Sequence, residues 1–338
     1  MAKNADPKKL QTIESVAEVA GVSTMTVSRV LRGLDNVSAK TRTKVEKVIQ
    51  ESGYVHNRLA GALAASHASQ VAVVIPTLQN IVFTEVLAGI AEALDGSAYQ
   101  PIIGITEYEN VKELELVKSM MGWRPAAFVL ANTRHLDETV RILANANIPV
   151  VEVMEVTDQP IGSCVGVEQR VAGEVMASHL LEKGYRRFAY LGTNLDRDQA
   201  AAVRYNGFKS VLEAAGAALV GSMTADSKSG VNLGRYHLPE LLEKHPDCEA
   251  VYFSNDAVAA GGMLYCLSAG IAIPDDLALA GYSGLDIGAA LPHPLTTVRT
   301  PLHRMGNLAG QNILAQLRGE EVERITDAGF ELIAGTSS

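Results

Sequence analysis

From residue 71 onward, short apolar runs alternate with amphipathic stretches, and this alternation constrains the fold more than any other feature of the chain. The runs predict strands over 71–75, 100–105, 127–130, 149–153, 187–191, 250–254, 277–281 and 295–298. The stretches between them predict helices over 83–94, 111–121, 136–146, 171–183, 199–214, 230–242, 256–269 and 304–317. Strictly alternating strands and helices imply parallel sheets with helices on both faces. Eight strands are too many for one small sheet, so two lobes are expected. The first ends near residue 160, the second covers 161–290, and the last strand returns to the first lobe. Ligands bind at the carboxyl ends of such strands, which puts the expected site in the cleft between lobes. No run approaches the 18 uninterrupted apolar residues of a membrane span.

The first 66 residues differ in charge from the rest. They carry ten Lys and Arg against six Asp and Glu, while the remainder carries 19 against 32. A basic head on an acidic body points to a polyanion at the head alone. Its sequence reads as three short helices. Thr12 can cap a helix over 13–20 in which Val16, Ala17 and Ala20 form a narrow apolar stripe. Gly21 ends that helix, and Ser23 caps the next, 24–31, with Val22 and Val27 as a hydrophobic staple. Val27, Val30 and Leu31 point inward, leaving Thr24, Met25, Ser28 and Arg29 outward. Hydroxyls, a thioether and an arginine on one exposed turn suit the major groove, and Thr26 and Ser28 equally suit phosphates. The alternative is a solvated face. A third helix starts after Ser38 and stops at Gly53, with Val45, Val48 and Ile49 as its core stripe.

The run Thr12-Ile13-Glu14-Ser15-Val16-Ala17-Glu18-Val19-Ala20-Gly21-Val22-Ser23, then Thr26-Val27-Ser28-Arg29-Val30-Leu31, resembles the headpiece of the lactose/galactose-repressor (LacI/GalR) family. Residues 37–45 and 53–60 continue the resemblance in register, with His56 where the family usually has proline. The resemblance implies an all-α helix-turn-helix headpiece over 1–56, a hinge helix over 57–67, and a two-lobed α/β body over 68–338 like a periplasmic sugar-binding protein. It implies a homodimer on a quasi-palindromic double-stranded operator, with Thr12, Ser23, Thr24, Met25, Thr26, Ser28, Arg29, Asn36, Ser38, Thr41, Tyr54, Asn57, Ala60 and Leu63 as DNA contacts. The stretch 57–66 is short and contains Gly61, so alone it is a marginal helix. In the family such a helix pairs with its dimer mate in the minor groove, where a leucine at the position of Leu63 wedges a base step.

Effector candidates lie at strand ends. Asn80 and Phe83 follow the first strand: an amide for hydroxyls and a ring for a sugar face, unless Phe83 is helix core. Arg204 matches a family arginine that reaches the effector, and its fork suits a carboxylate or vicinal hydroxyls. Asn255 and Asp256 follow the family pattern, Asp256 alternatively capping the next helix. Where family members read Gly-Phe/Tyr-Asp-Asp, this chain reads Gly281-Tyr282-Ser283-Gly284-Leu285-Asp286, so either Asp286 takes the acid's place beside Ser283 or no carboxylate does. Met154 stands at another usual acid position, flanked by Glu152 and Glu155. Both departures resemble the gluconate-operon repressors. Loss of an acid facing the ligand lessens repulsion toward a sugar acid.

Catalysis finds no support in the motifs. G-x-G-x-x-G, G-x-x-x-x-G-K-[ST], G-x-S-x-G and H-E-x-x-H are all absent, and His135, His293 and His303 read as surface or satisfied core residues. No cofactor or metal is expected. The three cysteines are scattered and the first residues lack an apolar leader core, which fits a cytoplasmic protein with reduced thiols. The expected function is a sequence-specific repressor of carbohydrate or sugar-acid genes, controlled by a small sugar-type effector. The alternatives are a regulator answering to a partner protein, or a cytosolic sugar-binding module.

Overall fold

A computed structural model describes residues 12–31, 34, 36–55, 69–226 and 229–338. The chain divides into two compact units, Met1–Ala68 and Ser69–Ser338.

The first unit holds three helices, α1 (Ile13–Ala20), α2 (Thr24–Leu31) and α3 (Ala39–Ser52). Their starts follow local hydrogen-bonding chemistry. The Thr12 hydroxyl accepts the Ser15 N–H at 3.3 Å, Ser23 accepts that of Thr26 at 3.2 Å, and Ser38 accepts that of Thr41 at 3.3 Å. Gly21 (φ 61°) and Gly53 (φ 64°) end α1 and α3 in the left-handed conformation that glycine adopts without a Cβ clash. Val16, Ala17, Ala20, Val27, Val30, Val45 and Val48 form the core. Leu31 and Ile49 pack against it only partly buried.

The second unit contains two six-stranded sheets. Its strands are β1 (Gln70–Ile75), β2 (Gln100–Ile105), β3 (Ala127–Leu130), β4 (Val150–Glu155), β5 (Ser163–Val167), β6 (Arg187–Thr193), β7 (Ala218–Ala225), β8 (Ala250–Phe253), β9 (Ala278–Ser283), β10 (Thr296–Arg299), β11 (Ile325–Asp327) and β12 (Glu331–Ile333). Its helices are α4 (Ile81–Leu94), α5 (Asn110–Met121), α6 (Asp137–Ala144), α7 (Gln169–Glu182), α8 (Gln199–Ala214), α9 (Val231–Lys244), α10 (Asp256–Ala269), α11 (Asp286–Ala290) and α12 (Leu302–Leu317). The sheet orders are β11-β5-β4-β3-β1-β2 and β12-β10-β9-β8-β6-β7, so the two lobes repeat one topology. Every pairing is parallel except β10 with β12. Apolar clusters fill both faces of each sheet. Cys164, Cys248 and Cys266 are buried free thiols. Among the described residues no helix is long and apolar enough to cross a membrane.

Three details depart from the expected lobes. The first sheet reaches beyond residue 160, because Ser163–Val167 forms β5 within it. That segment reads SCVGV; its small residues hid a fully buried strand from a search for apolar runs. The run at 295–298 stays in the second sheet as β10. The return to the first lobe is made by α12, which packs on α4, β4 and β5, and by β11. β7 was also missed, because an edge strand carries only one fully buried residue, Gly221, and has no reason to be apolar.

Candidate effector cleft and nucleic-acid face

The cleft between the lobes collects side chains from the carboxyl ends of strands in both sheets. In the second lobe its floor is built around Arg204. Helices α7 and α8 approach so closely that a Cβ on Gly173 would fall 2.0 Å from the Arg204 carbonyl oxygen, and one on Gly207 2.2 Å from that of Arg170. This contact brings Gln169, at the start of α7, within reach of α8. Arg204 donates to Gln169 Oε1 at 2.6 Å and to the Ser254 carbonyl at 3.0 Å, and its guanidinium lies 3.6 Å above the Tyr282 ring. Tyr282 donates to the same Gln169 oxygen at 2.8 Å, while Gln169 Nε2 donates to the Met154 carbonyl across the cleft at 2.9 Å. Arg204 is 6% exposed. Among the described residues none of its hydrogen-bond or ring partners is a carboxylate.

The first lobe treats buried charge differently. His135 joins Glu113 through Nδ1 at 2.6 Å and Glu152 through Nε2 at 3.2 Å, all three buried. Burial alone would lower the imidazole pKa, but the hydrogen bonds to two carboxylates outweigh it and hold it at about 9. The ring is therefore a cation at neutral pH and donates through both nitrogens. The second Glu152 oxygen accepts the Ile161 N–H at 2.6 Å. Glu152 thus does not face the cleft, contrary to expectation. It alternates with Val151 and Val153 and turns to the opposite sheet face. Glu155, one turn of the pleat beyond Met154, lines the cleft instead and accepts from Thr133 Oγ1 at 3.0 Å. Burial raises its carboxyl pKa.

The predicted effector residues divide accordingly. Asn80, Phe83, Arg204, Asn255 and Ser283 all line the cleft. Phe83 does so while packed in the first lobe's core. Asn255 rather than Asp256 caps α10, its Oδ1 accepting the Val258 N–H at 3.1 Å. Asp256 is fully buried behind the wall. It accepts from Thr297 Oγ1 at 2.7 Å and from the Leu285 N–H at 2.6 Å, and burial raises its pKa to about 7. It holds the β9–α11 connection rather than a ligand. Asp286 begins α11 and faces an adjoining hollow with Arg299 and Arg304, so no carboxylate from this segment enters the cleft.

Strain marks equivalent points of the two lobes. Met154 (φ 91°) and Ser283 (φ 102°) end β4 and β9, strands that hold the same position in their sheets. Neither is glycine, and such conformations persist only where surrounding structure over-determines them. At the mouth, Arg134 donates to Gln199 at 2.8 Å and Arg197 pairs with Glu109 at 3.1 Å, both across the cleft.

On the first unit, Thr24 and Met25 are exposed at the start of α2, and Ser28 and Arg29 follow half-buried. Arg29 Nη2 lies 3.6 Å from the Met25 sulfur, so the two side chains form one surface. The Ser23 and Thr26 hydroxyls meet at 3.0 Å and those of Ser38 and Thr41 at 2.9 Å. Thr12, Ser23 and Ser38 cap helices, and a capping hydroxyl keeps a lone pair or proton for phosphate. Asn36 is exposed, whereas Tyr54 packs against the core. Asn57, Ala60 and Leu63, with the hinge helix expected over 57–67, lie outside the described residues.

The model of bacterial regulatory proteins of the lacI family matches residues 12–57, and the model of the periplasmic binding protein-like domain matches 177–338. The transcriptional regulator GntR of Escherichia coli strain K12 is 33% identical over 334 residues, 98% of this chain and 99% of that protein. This chain belongs to the LacI family. GntR of Pseudomonas aeruginosa is 34% identical over 338 residues, covering 99% of this chain and 98% of its own. A solved LacI-family regulator from Silicibacter pomeroyi superposes with a TM-score of 0.92 at 38% identity, covering 96% of this chain and 98% of that one. This LacI-family chain is accordingly a DNA-binding transcriptional regulator and not an enzyme.

Several lining residues of the LacI-family cleft escaped the sequence reading: Tyr108, Thr133, Gln169, Arg197 and Asp198. Asp198 alone carried a local signal, as the N-cap before α8. The others stand on loops, apart from Gln169 in the first turn of α7, and periodicity is silent at such positions.

Proposed function

We propose that this regulator represses genes of sugar or sugar-acid catabolism, and that a sugar acid of the gluconate type, closing the cleft, sets its operator affinity. One observation carries the ligand class: Arg204 is a permanent, buried cation whose hydrogen-bond and ring partners among the described residues are all neutral, with the Asp198 and Glu155 carboxylates acting on it only through space. Buried charges are ordinarily paired, because desolvation of an unpaired one costs several kcal/mol, on the order of a lost ion pair. A carboxylate on the ligand completes the pair, and the amides and hydroxyls of Asn80, Asn132, Thr133 and Asn255 around it suit a polyhydroxylated chain.

In this reading a homodimer lays one α2 in each half of a quasi-palindromic operator, with Thr24, Met25 and Arg29 at base edges and Thr12, Ser23, Thr26, Ser28, Asn36, Ser38, Thr41 and Tyr54 toward the backbone. Asn57, Ala60 and Leu63 complete the contact from the segment that follows. The ligand acts only through unequal affinity for the DNA-competent and released states. A hundredfold weakening of operator binding corresponds to about 2.7 kcal/mol of coupling.

Footprinting on genomic fragments with and without gluconate tests both halves. A protected palindrome that gluconate releases is the expected result. No preference for any fragment over random competitor removes the repressor reading, and protection indifferent to every sugar acid removes the ligand class. Arg29→Ala should weaken specific binding by about 1–3 kcal/mol while leaving gluconate affinity unchanged.

A further inference from the structure

Tyr108 stands where the sequence carried no signal, and the backbone places it there at a cost. Glu107 (φ 53°) and Tyr108 (φ 63°) are consecutive left-handed residues, and neither is Gly, Asn or Asp. They follow the carboxyl end of β2, where the Glu107 N–H donates to the Pro76 carbonyl at 2.9 Å, and Glu107 pairs with Lys112 on α5. The outcome of this turn is a ring packed edge-on against Phe83, with centroids 6.2 Å apart, lining the cleft. Core packing explains the ring. It does not explain the hydroxyl.

The Tyr108 hydroxyl is buried and has no hydrogen-bond partner of normal geometry among the described residues. Burial pushes its pKa up and Asp198 of the second lobe adds to that, while the nearby Asn80 amide, acting on the phenol oxygen and not on its proton, and then Arg204 oppose it, so the phenol keeps its proton at any physiological pH. The group is a donor from the first lobe, within the electrostatic reach of the very arginine whose described hydrogen-bond partners include no carboxylate. A buried donor left unmade is costly, whereas phenylalanine would fill the same space without that cost. Ser254, whose carbonyl holds Arg204, likewise carries a buried hydroxyl without a partner.

We infer that Tyr108 is a specificity-determining residue, donating its hydroxyl proton to an oxygen of the effector near Arg204 and so selecting a ligand with an acceptor at that end. This rests on the reading of the cleft as an effector site. It adds that recognition spans both lobes: the cation comes from the second and the neutral donor from the first. Such a ligand bridges the lobes directly, and an apolar or amino substituent in place of that oxygen leaves the phenol unpaired.

The experiment compares the full chain with Tyr108→Phe, which removes only the hydroxyl. Two quantities are read: the melting temperature without ligand, and the dissociation constant for gluconate by isothermal titration. D-glucose, D-galactose and cellobiose serve as neutral probes. The expected result is a melting temperature equal to or above that of the wild type, with gluconate binding weakened about tenfold, the worth of one hydrogen bond to a charged group. A melting temperature lowered by several degrees overturns the inference, because the hydroxyl then has a structural partner. Equal affinity of variant and wild type also overturns it, because water then satisfies the group in both. If the wild type binds a neutral probe and not gluconate, the sugar-acid reading fails and the same ratio on that probe decides the role of Tyr108. Failure of every probe to bind the wild type overturns both.

Discussion

The two lobes of the body share one strand order and one strained strand end, yet they handle buried charge in opposite ways. In the first lobe, His135 sits between Glu113 and Glu152, and the three groups satisfy one another inside the lobe. In the second, Arg204 makes its direct contacts with an amide oxygen, a backbone carbonyl and an aromatic face, all neutral, while Asp198 and Glu155 act on it only through space. The lesson is that equal topology does not confer equal roles: the first lobe's charges pair with one another, whereas the second lobe's charge has neutral direct partners and, in the function proposed above, is left for a ligand.

The largest effect expected from that contrast is on His135. Its replacement by alanine leaves two buried carboxylates facing each other, and unfolding by denaturant should show a loss of about 3–5 kcal/mol. A loss under about 1 kcal/mol would mean that the glutamates do not depend on the imidazolium. The same triad sets a pH dependence. The folded pKa of about 9 lies above the ordinary 6.5, so the stabilisation is complete below pH 6.5 and disappears as pH rises through 9. Wild-type stability should fall across this window, and His135→Ala should lose that part of the slope.

Arg204→Ala should cost stability less, since the charge it removes is hydrogen-bonded only to neutral groups, and should cost effector binding far more. Gluconate affinity is expected to fall at least a hundredfold, about 2.7 kcal/mol, with operator binding retained, giving a repressor that does not respond to its ligand. Operator release by gluconate at wild-type concentrations would take Arg204 out of the site.

The smallest effects concern the paired strand ends. Ser283→Gly relieves a left-handed serine and should leave stability unchanged or raise it by up to about 1 kcal/mol. Met154→Gly relieves the same strain but removes a thioether packed on the first lobe's core, so a net loss of about 1 kcal/mol is expected. Matched melting curves of the two variants measure the difference; identical shifts would mean that strain rather than packing dominates both positions.

Local chemistry determined a large part of this molecule in advance. Thr12, Ser23 and Ser38 cap helices, Gly21 and Gly53 stop them, and the apolar stripe of the head emerges as its core, because caps and periodicity act within a few residues. The order of strands and helices in the body was legible for the same reason, as was the placement of Asn80 and Asn255 at the cleft, since each stands at a strand–helix junction, whereas Arg204, inside α8, was marked only by the family resemblance. Tertiary structure alone decided the rest. Whether Glu152 or Glu155 faces the cleft depends on the pleat of β4 and on the left-handed turn at Met154, and alternation cannot say which face is which until the sheet is packed. β5 joined the first sheet through pairing with β4 and β11, the latter more than 150 residues away in sequence, a contact no window of sequence contains. His135 became a cation, and Tyr108 a buried donor without a normal-geometry acceptor among the described residues, only when distant segments closed around them. The charge state and the free valence of a side chain are properties of its surroundings, and those surroundings are assembled by the fold.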